Sequence, residues 1–232
     1  MTGKIPLILL PGLLCDAALW RYQASALAEF AELQIADLTQ AESVADLAAQ
    51  VLAGAPPRFA LAGLSMGGYV AQEILRQAPE RVDRLALLDT SARPDTPEQS
   101  ARRRGLMDLS QCGQFKGVTP QLLPLLLHPD HLAGDLAGLV TAMAERVGQA
   151  AFIRQQRAIL GRIDSRPSLA AIRVPTLVLC GDGDRLTPPA LAEEMAAGIA
   201  GAELVLIEHS GHLSTLEQPE AVNRAMIEWL AA

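Results

Sequence analysis

Phe59-Ala60-Leu61-Ala62-Gly63-Leu64-Ser65-Met66-Gly67-Gly68-Tyr69-Val70-Ala71-Gln72-Glu73-Ile74-Leu75 is the stretch whose reading decides the fold. Phe59–Ala62 is an apolar run of strand length, a glycine-rich turn stops it, and a helix-like segment begins at Tyr69. Ser65 stands in the turn with Gly63 and Gly67 two residues to either side. A tight strand-to-helix turn strains the backbone of its serine, glycines relieve the crowding, and the hydroxyl is pushed above the carboxyl end of a sheet. With 18 glycines in 232 residues a bare G-x-S-x-G carries little weight. Its place between a strand and a helix is what separates it from an inert Gly/Ser turn.

Outward from this turn, short apolar runs alternate with amphipathic ones, the pattern of an α/β domain on a mostly parallel sheet flanked by helices. Strands are expected at Ile5–Leu10, Leu33–Asp37, Phe59–Ala62, Val82–Leu88, Thr176–Cys180 and Glu203–Ile207. Several lack alternation, as strands covered on both faces do. Asp16 is expected to cap a helix reaching Phe30, Ser43 with Asp46 to open another, and Pro188 and Pro219 to start two more.

The alternation fails once. Residues 93–167 show no strand, only helical segments broken by Gly and Pro: Thr119-Pro120 reads as a start, Pro124 as an interruption, Gly148 and Gly161 as stops. This block reads as a helical cap inserted into a core of residues 1–92 and 168–232. It holds ten basic and seven acidic residues, net +3, so the remainder carries −10 of the total −7.

Half of the residues are hydrophobic and 19% charged, which excludes wholesale disorder. Net charge −7, with aromatics at 3%, argues against a nucleic-acid partner. Cys15, Cys112 and Cys180 are odd in number and have no ligand-like spacing, so neither a disulfide framework nor a metal site is expected, and a reducing cytoplasm suits them. Two prolines break the run Ile5–Cys15, which reads as a strand and turn rather than a secretion leader. No apolar run reaches the roughly 18 residues of a membrane span.

A serine hydroxyl needs a base, and the base an orienting acid. Of four histidines, His128 and His131 lie in the inserted block. His209 and His212 follow the last strand, and His212, further into the loop, is the better placed to reach a serine at the same sheet edge. The loop Cys180-Gly181-Asp182-Gly183-Asp184-Arg185-Leu186-Thr187-Pro188 offers two carboxylates after the fifth strand. It half-matches a calcium loop, but Leu186 and Thr187 stand where a ligand and a glycine are needed. Asp89, ending the fourth strand, is a further acid.

The order Ser65, Asp184, His212, with the elbow, the D-x-x-x-P loop and the tail Gly211-His212 through Glu217 and Pro219, resembles the α/β-hydrolase fold. The nearest group is the cap-bearing carboxylesterases and 3-oxoadipate enol-lactonases. The resemblance implies Ser65 as nucleophile, His212 as base, Asp184 as acid and Asp182 as its solvated neighbour. It also implies an oxyanion hole from the backbone N–H groups of Leu13 and Met66, with no cofactor and no metal.

Three departures accompany it. Pro11 stands where the family usually has histidine. The family's first two strands are expected to be missing, leaving Leu33–Asp37 at an edge. Asp37-Leu38-Thr39-Gln40 lacks a Gly-rich loop. The implied activity is hydrolysis of a small ester, lactone or thioester. An acyltransferase, a carbon–carbon hydrolase or a non-catalytic small-molecule receptor would use the same scaffold. The expected partner is a small molecule rather than nucleic acid or membrane, in a monomer or homodimer. Arg154 and Arg157, three residues apart on one helix face, are the candidates to grip an anionic substrate group.

Overall fold

The computed structural model describes residues 4–232. Its sheet comprises β1 (Ile5–Leu10), β2 (Ala31–Ile35), β3 (Phe59–Leu64), β4 (Val82–Leu88), β5 (Thr176–Gly181) and β6 (Glu203–Ile207). All neighbours pair parallel, in the order β2-β1-β3-β4-β5-β6. The helices are α1 (Arg21–Ala26), α2 (Val44–Gly54), α3 (Met66–Gln77), α4 (Pro97–Leu109), α5 (Leu123–Leu126), α6 (Asp135–Leu160), α7 (Arg166–Leu169), α8 (Pro189–Gly198), α9 (Ser214–Glu217) and α10 (Pro219–Ala231). None is long and apolar enough to cross a membrane.

The unalternating strands divide their residues between two cores. Leu7 and Leu9, Ala60 and Ala62, Leu177 and Leu179 join one apolar cluster with Trp20, Met226 and Trp229. Ile8 and Leu10, Phe59 and Leu61, Val178 and Cys180 join the other, with Leu47, Val70, Ile74 and Met195 of the helices opposite. Successive side chains point to opposite faces, so a strand covered twice is apolar at every position. Each fully buried leucine contributes about 1.5–3 kcal/mol.

From β1 the chain runs outward to β2 and returns past β1 to β3. The crevice between the carboxyl ends of β1 and β3 is therefore where the strand order reverses, the place at which open α/β sheets bind ligands. Leu13 follows one of those strands and Ser65 the other.

Several boundaries differ from expectation. The segment after Asp16 is a 3-10 turn, Ala17–Trp20, followed by the short α1, not a helix to Phe30. Phe30 and Ala31 N–H both fold back onto the Leu27 carbonyl. That early turn lets β2 begin at Ala31, two residues ahead of the expected Leu33. Glu32 and Gln34 are exposed, so β2 alternates as a half-solvated edge strand does. Pro124 sits in the first turn of α5, where a missing N–H costs nothing, and so does not interrupt it. Gly148, at φ 76° and ψ 172°, breaks α6 as its residue type predicts. No strand occurs between 93 and 167.

Candidate active site

The turn at Ser65 is as tight as its glycines require. Ser65 has φ 55° and ψ −114°, a conformation L-residues rarely adopt. A Cβ at Gly67 would overlap the Leu10 carbonyl, and one at Gly63 the backbone of Gly67 and Gly68. Thr90 Oγ1 donates to the Ser65 carbonyl at 2.7 Å, a brace from the end of β4. Ser65 N–H donates to the Leu88 carbonyl at 3.0 Å. The strain is thus held by the neighbouring strand.

His212 reaches the serine from the loop after β6. Its Nε2 lies 2.8 Å from Ser65 Oγ, and its Nδ1 lies 2.8 Å from Asp184 Oδ2. A carboxylate at Nδ1 calls for a proton on that nitrogen, which leaves the Nε2 lone pair facing the hydroxyl. Asp184 is fixed in turn by the N–H groups of Leu186 (2.8 Å) and Thr187 (3.0 Å) and by the Thr187 hydroxyl (2.7 Å). Asp184 and His212 are both buried, and Ser65 is half-buried.

Electrostatics follow from this packing. Burial works against the Asp184 charge, but the His212 imidazole and the Thr187 donors outweigh it and hold the carboxyl below its ordinary value. Burial also works against a charged His212. The Asp184 carboxylate, then Asp89 and Glu217, outweigh it and raise the imidazole above its usual value. Asp89 is the contrasting case. Burial first, and then the facing Asp184 charge, push its carboxyl up to about 8. It accepts from Gly181 N–H at 2.9 Å and from the Ser214 hydroxyl, so it joins the β5 end to α9 instead of touching His212.

Gly12 brings the turn after β1 against the serine: a Cβ there would lie 3.5 Å from Ser65 Cβ. Neither Leu13 N–H nor Met66 N–H donates to a protein acceptor among the described residues. Met66 opens α3, so its orphan N–H and the positive end of the helix face the same spot. Burial pushes the adjacent Cys15 thiol up to about 12, which leaves Ser65 as the nucleophile-type group here.

The remaining expected residues go elsewhere. Asp182 Oδ1 accepts from Ser210 N–H at 3.2 Å, and His209 turns outward to Asp130. Arg154 Nε donates to the Thr39 carbonyl at 2.7 Å, and Arg157 pairs with Glu42. The two arginines do share a helix face, but that face lies on the segment after β2, and both guanidinium groups are engaged there.

The tasks of two residues escaped the sequence reading. Gln155 is wholly buried; its Oε1 accepts from Leu14 N–H at 3.1 Å and its Nε2 donates to the Leu38 carbonyl at 3.1 Å. Leu14 has φ 58°, so the turn carrying Leu13 is strained and Gln155 is its brace. Its only sequence signal is a polar residue in the buried register of a helix. Glu217 accepts from the N–H groups on both sides of His212, Gly211 at 2.9 Å and Leu213 at 3.1 Å, and from His128 N–H at 2.6 Å. His212 N–H itself donates to the Leu126 carbonyl at 3.0 Å. Glu217 was legible as part of the tail motif, though its task was not.

The chain is similar to known proteins in sequence and in fold. Residues 7–225 match the model of the Alpha/beta hydrolase family. The chain is 29% identical to a Variovorax paradoxus protein named as a candidate carbamate hydrolase, over 97% of this chain and 91% of that one. It is 28% identical to 3-oxoadipate enol-lactonase 2 of Acinetobacter baylyi, over 73% of this chain and 62% of that one. Among solved structures, a thermophilic esterase from Thermogutta terrifontis superposes with TM-score 0.88 at 29% identity, over 99% of this chain and 91% of that one.

Proposed function

The chain belongs to the alpha/beta hydrolase family, and on that premise we propose that it hydrolyses a small ester, lactone or thioester through an acyl-enzyme on Ser65. The observation that carries the reading is the unbroken relay from Ser65 Oγ through His212 to Asp184, each step 2.8 Å. Relatives and structural neighbours named as hydrolase, enol-lactonase and esterase support the same class of chemistry.

In this mechanism Ser65 Oγ attacks the substrate carbonyl while His212 Nε2 takes its proton. The carbonyl oxygen, now an anion, is received by the Leu13 and Met66 N–H groups, each worth about 2.7–4 kcal/mol in comparable sites. His212 returns the proton to the leaving oxygen or sulfur, and the acyl group stays on Ser65. Water then attacks the acyl carbon, giving its proton to His212, and the second collapse frees the acid. Asp184 keeps one tautomer throughout and stabilises the transient imidazolium.

Residues 93–167 serve in this reading as a cap that selects the acyl and leaving groups. Phe115, Leu122, Leu126, Met143 and Phe152 join the apolar cluster that also holds Leu13 and Leu213, neighbours of the oxyanion turn and of His212. An apolar cover of that kind suits an uncharged substrate, and with Arg154 and Arg157 engaged elsewhere we assign the site to a neutral ester, lactone or thioester.

Two measurements test the proposal. A fluorophosphonate probe is expected to label wild-type protein at Ser65, and Ser65→Ala to abolish both labelling and turnover of a panel of p-nitrophenyl esters, lactones and thioesters. The loss in kcat should be on the order of 10⁶, as for other nucleophile deletions, with the melting temperature little changed. Labelling at another residue, or undiminished turnover by folded Ser65→Ala, would overturn it.

A further inference from the structure

Three of the four histidines lie outside the Ser65 relay, and all three gather at one place. His128 and His131 flank Asp130 in the turn Pro129–His131, and His209 follows β6. His128 Nδ1 lies 3.3 Å and His209 Nδ1 3.1 Å from the same oxygen, Asp130 Oδ2. The two rings stand edge to face with centroids 5.8 Å apart. Ligand atoms of these three residues all lie within 4.8 Å of one another. His131 Nε2, 3.2 Å from the His209 carbonyl, fixes the backbone of that loop.

Two imidazole nitrogens and a carboxylate oxygen are the donor set of a divalent transition ion. Metal–nitrogen and metal–oxygen bonds of about 2.0–2.2 Å at tetrahedral angles put neighbouring ligand atoms about 3.4 Å apart. The observed 3.1 and 3.3 Å fall close to that spacing. The side chains of His209 and Asp130 are 69% and 57% exposed, so they can turn to close the third edge without repacking a core. Two hydrogen bonds are given up, the long one from Asp130 N–H to His128 Nδ1 at 3.3 Å and the exposed one between His209 Nδ1 and Asp130 Oδ2 at 3.1 Å, whose two atoms the ion would bridge instead.

We propose that His128, Asp130 and His209 bind one divalent transition cation of the zinc, nickel or copper class, with water completing the shell. Calcium and magnesium, which require more oxygen ligands, are excluded by the two nitrogens. The site joins residues 79 positions apart in sequence, which is why no ligand spacing announces it. It also sits where the inserted segment meets both loops of the relay. His128 packs so closely on Gly183 and Gly211 that a Cβ at either would approach it within 2.8 Å. Glu217 grips His128 N–H together with the backbone around His212. A bound ion therefore pins the 128–131 turn to the loop that leads into His212, and stabilises the fold in proportion to its occupancy.

The experiment uses untagged full-length protein carrying Cys112→Ser, so that the exposed thiol cannot compete. Zinc chloride is titrated calorimetrically into metal-free protein, and melting curves are recorded with zinc, nickel, calcium or magnesium, then after chelation. One equivalent of zinc is expected to bind and raise the melting temperature, nickel to act likewise, and calcium and magnesium to have no effect. His209→Ala and Asp130→Asn should each weaken zinc binding tenfold or more while melting like the parent without metal. Absence of saturable binding below about 1 mM, or equal affinity in both variants, overturns the site. Neither result bears on Ser65, because labelling by fluorophosphonate is read separately in the same samples.

Discussion

Two aspartates, Asp184 and Asp89, lie in the same buried neighbourhood as His212, and only one touches its ring. Asp184 is held charged by its donors, whereas burial and its neighbour's charge drive Asp89 toward the neutral acid. The two should separate cleanly on substitution. Asp184→Asn removes the acceptor that fixes the His212 tautomer and is expected to lower kcat by about 10⁴. Asp89→Asn keeps an oxygen for Gly181 N–H and is expected to cost less than tenfold in kcat/KM. Rates on p-nitrophenyl acetate, normalised to folded protein, decide it, and equal losses would contradict the assignment. The pH profile gives an independent reading. His212 works as a base only when neutral, and Asp184 raises its pKa above the ordinary value of about 6.5. Hence kcat/KM should be low in acid and rise through a midpoint above that value. In Asp184→Asn the residual activity should rise at lower pH, because the charge favouring imidazolium is gone; an unmoved midpoint would show that Asp184 does not set it.

At the scale of elements, the strands around the site were readable because each is an apolar run ending at a turn with its own chemistry. β1, β4 and β6 have the expected bounds, and β3 runs on through Leu64 into the serine turn. β2 was misplaced because its start depends on where α1 lets go, and α1 stops at Ala26 through a turn that no proline or glycine announces. The contact from α6 to the turn after β1 was out of reach altogether. Gln155 lies 141 residues from Leu14, and nothing local to either predicts the pairing. Its consequence is measurable. Gln155→Ala leaves a strained turn without its brace and is expected to lower kcat by roughly 10- to 100-fold, within what one oxyanion donor contributes, with little change in KM. Gln155→Glu, which keeps the acceptor for Leu14 N–H, should restore part of that loss, and a variant changed only in melting temperature would make Gln155 merely structural.

Across the whole molecule, residues 93–167 are tied to the sheet domain by the pairs Arg146–Asp16, Arg157–Glu42 and Arg93–Glu194, and are drawn together among themselves by a further pairing. Asp95, almost wholly buried, takes Arg103 of α4 at 2.7 Å on one oxygen and Arg162, just beyond α6, at 2.7 Å on the other. Arg162 also lies over the Tyr69 ring of α3, 4.4 Å from its centroid. Asp95→Ala would remove the carboxylate from the buried Arg162 and the partly buried Arg103, which keep only neutral acceptors, and is expected to cost about 1.5–3 kcal/mol of unfolding free energy, measured by urea titration. Turnover per folded molecule should be preserved, and a loss below about 1 kcal/mol would mean the pairing carries no stability.

The sequence by itself determined the α/β class, the strand bearing Ser65, the order of the three polar residues and the block without strands. Those features are local: apolar periodicity, glycine where backbone crowds, proline where a helix begins. Tertiary structure alone decided that Arg154 and Arg157 serve the loop after β2, that Gln155 braces the turn at Leu13, and that His128 and His209 converge on Asp130. In each of these the partners are brought together by packing across the sheet edge, and a side chain's charge or hydrogen-bonding capacity says nothing about which distant group it will face.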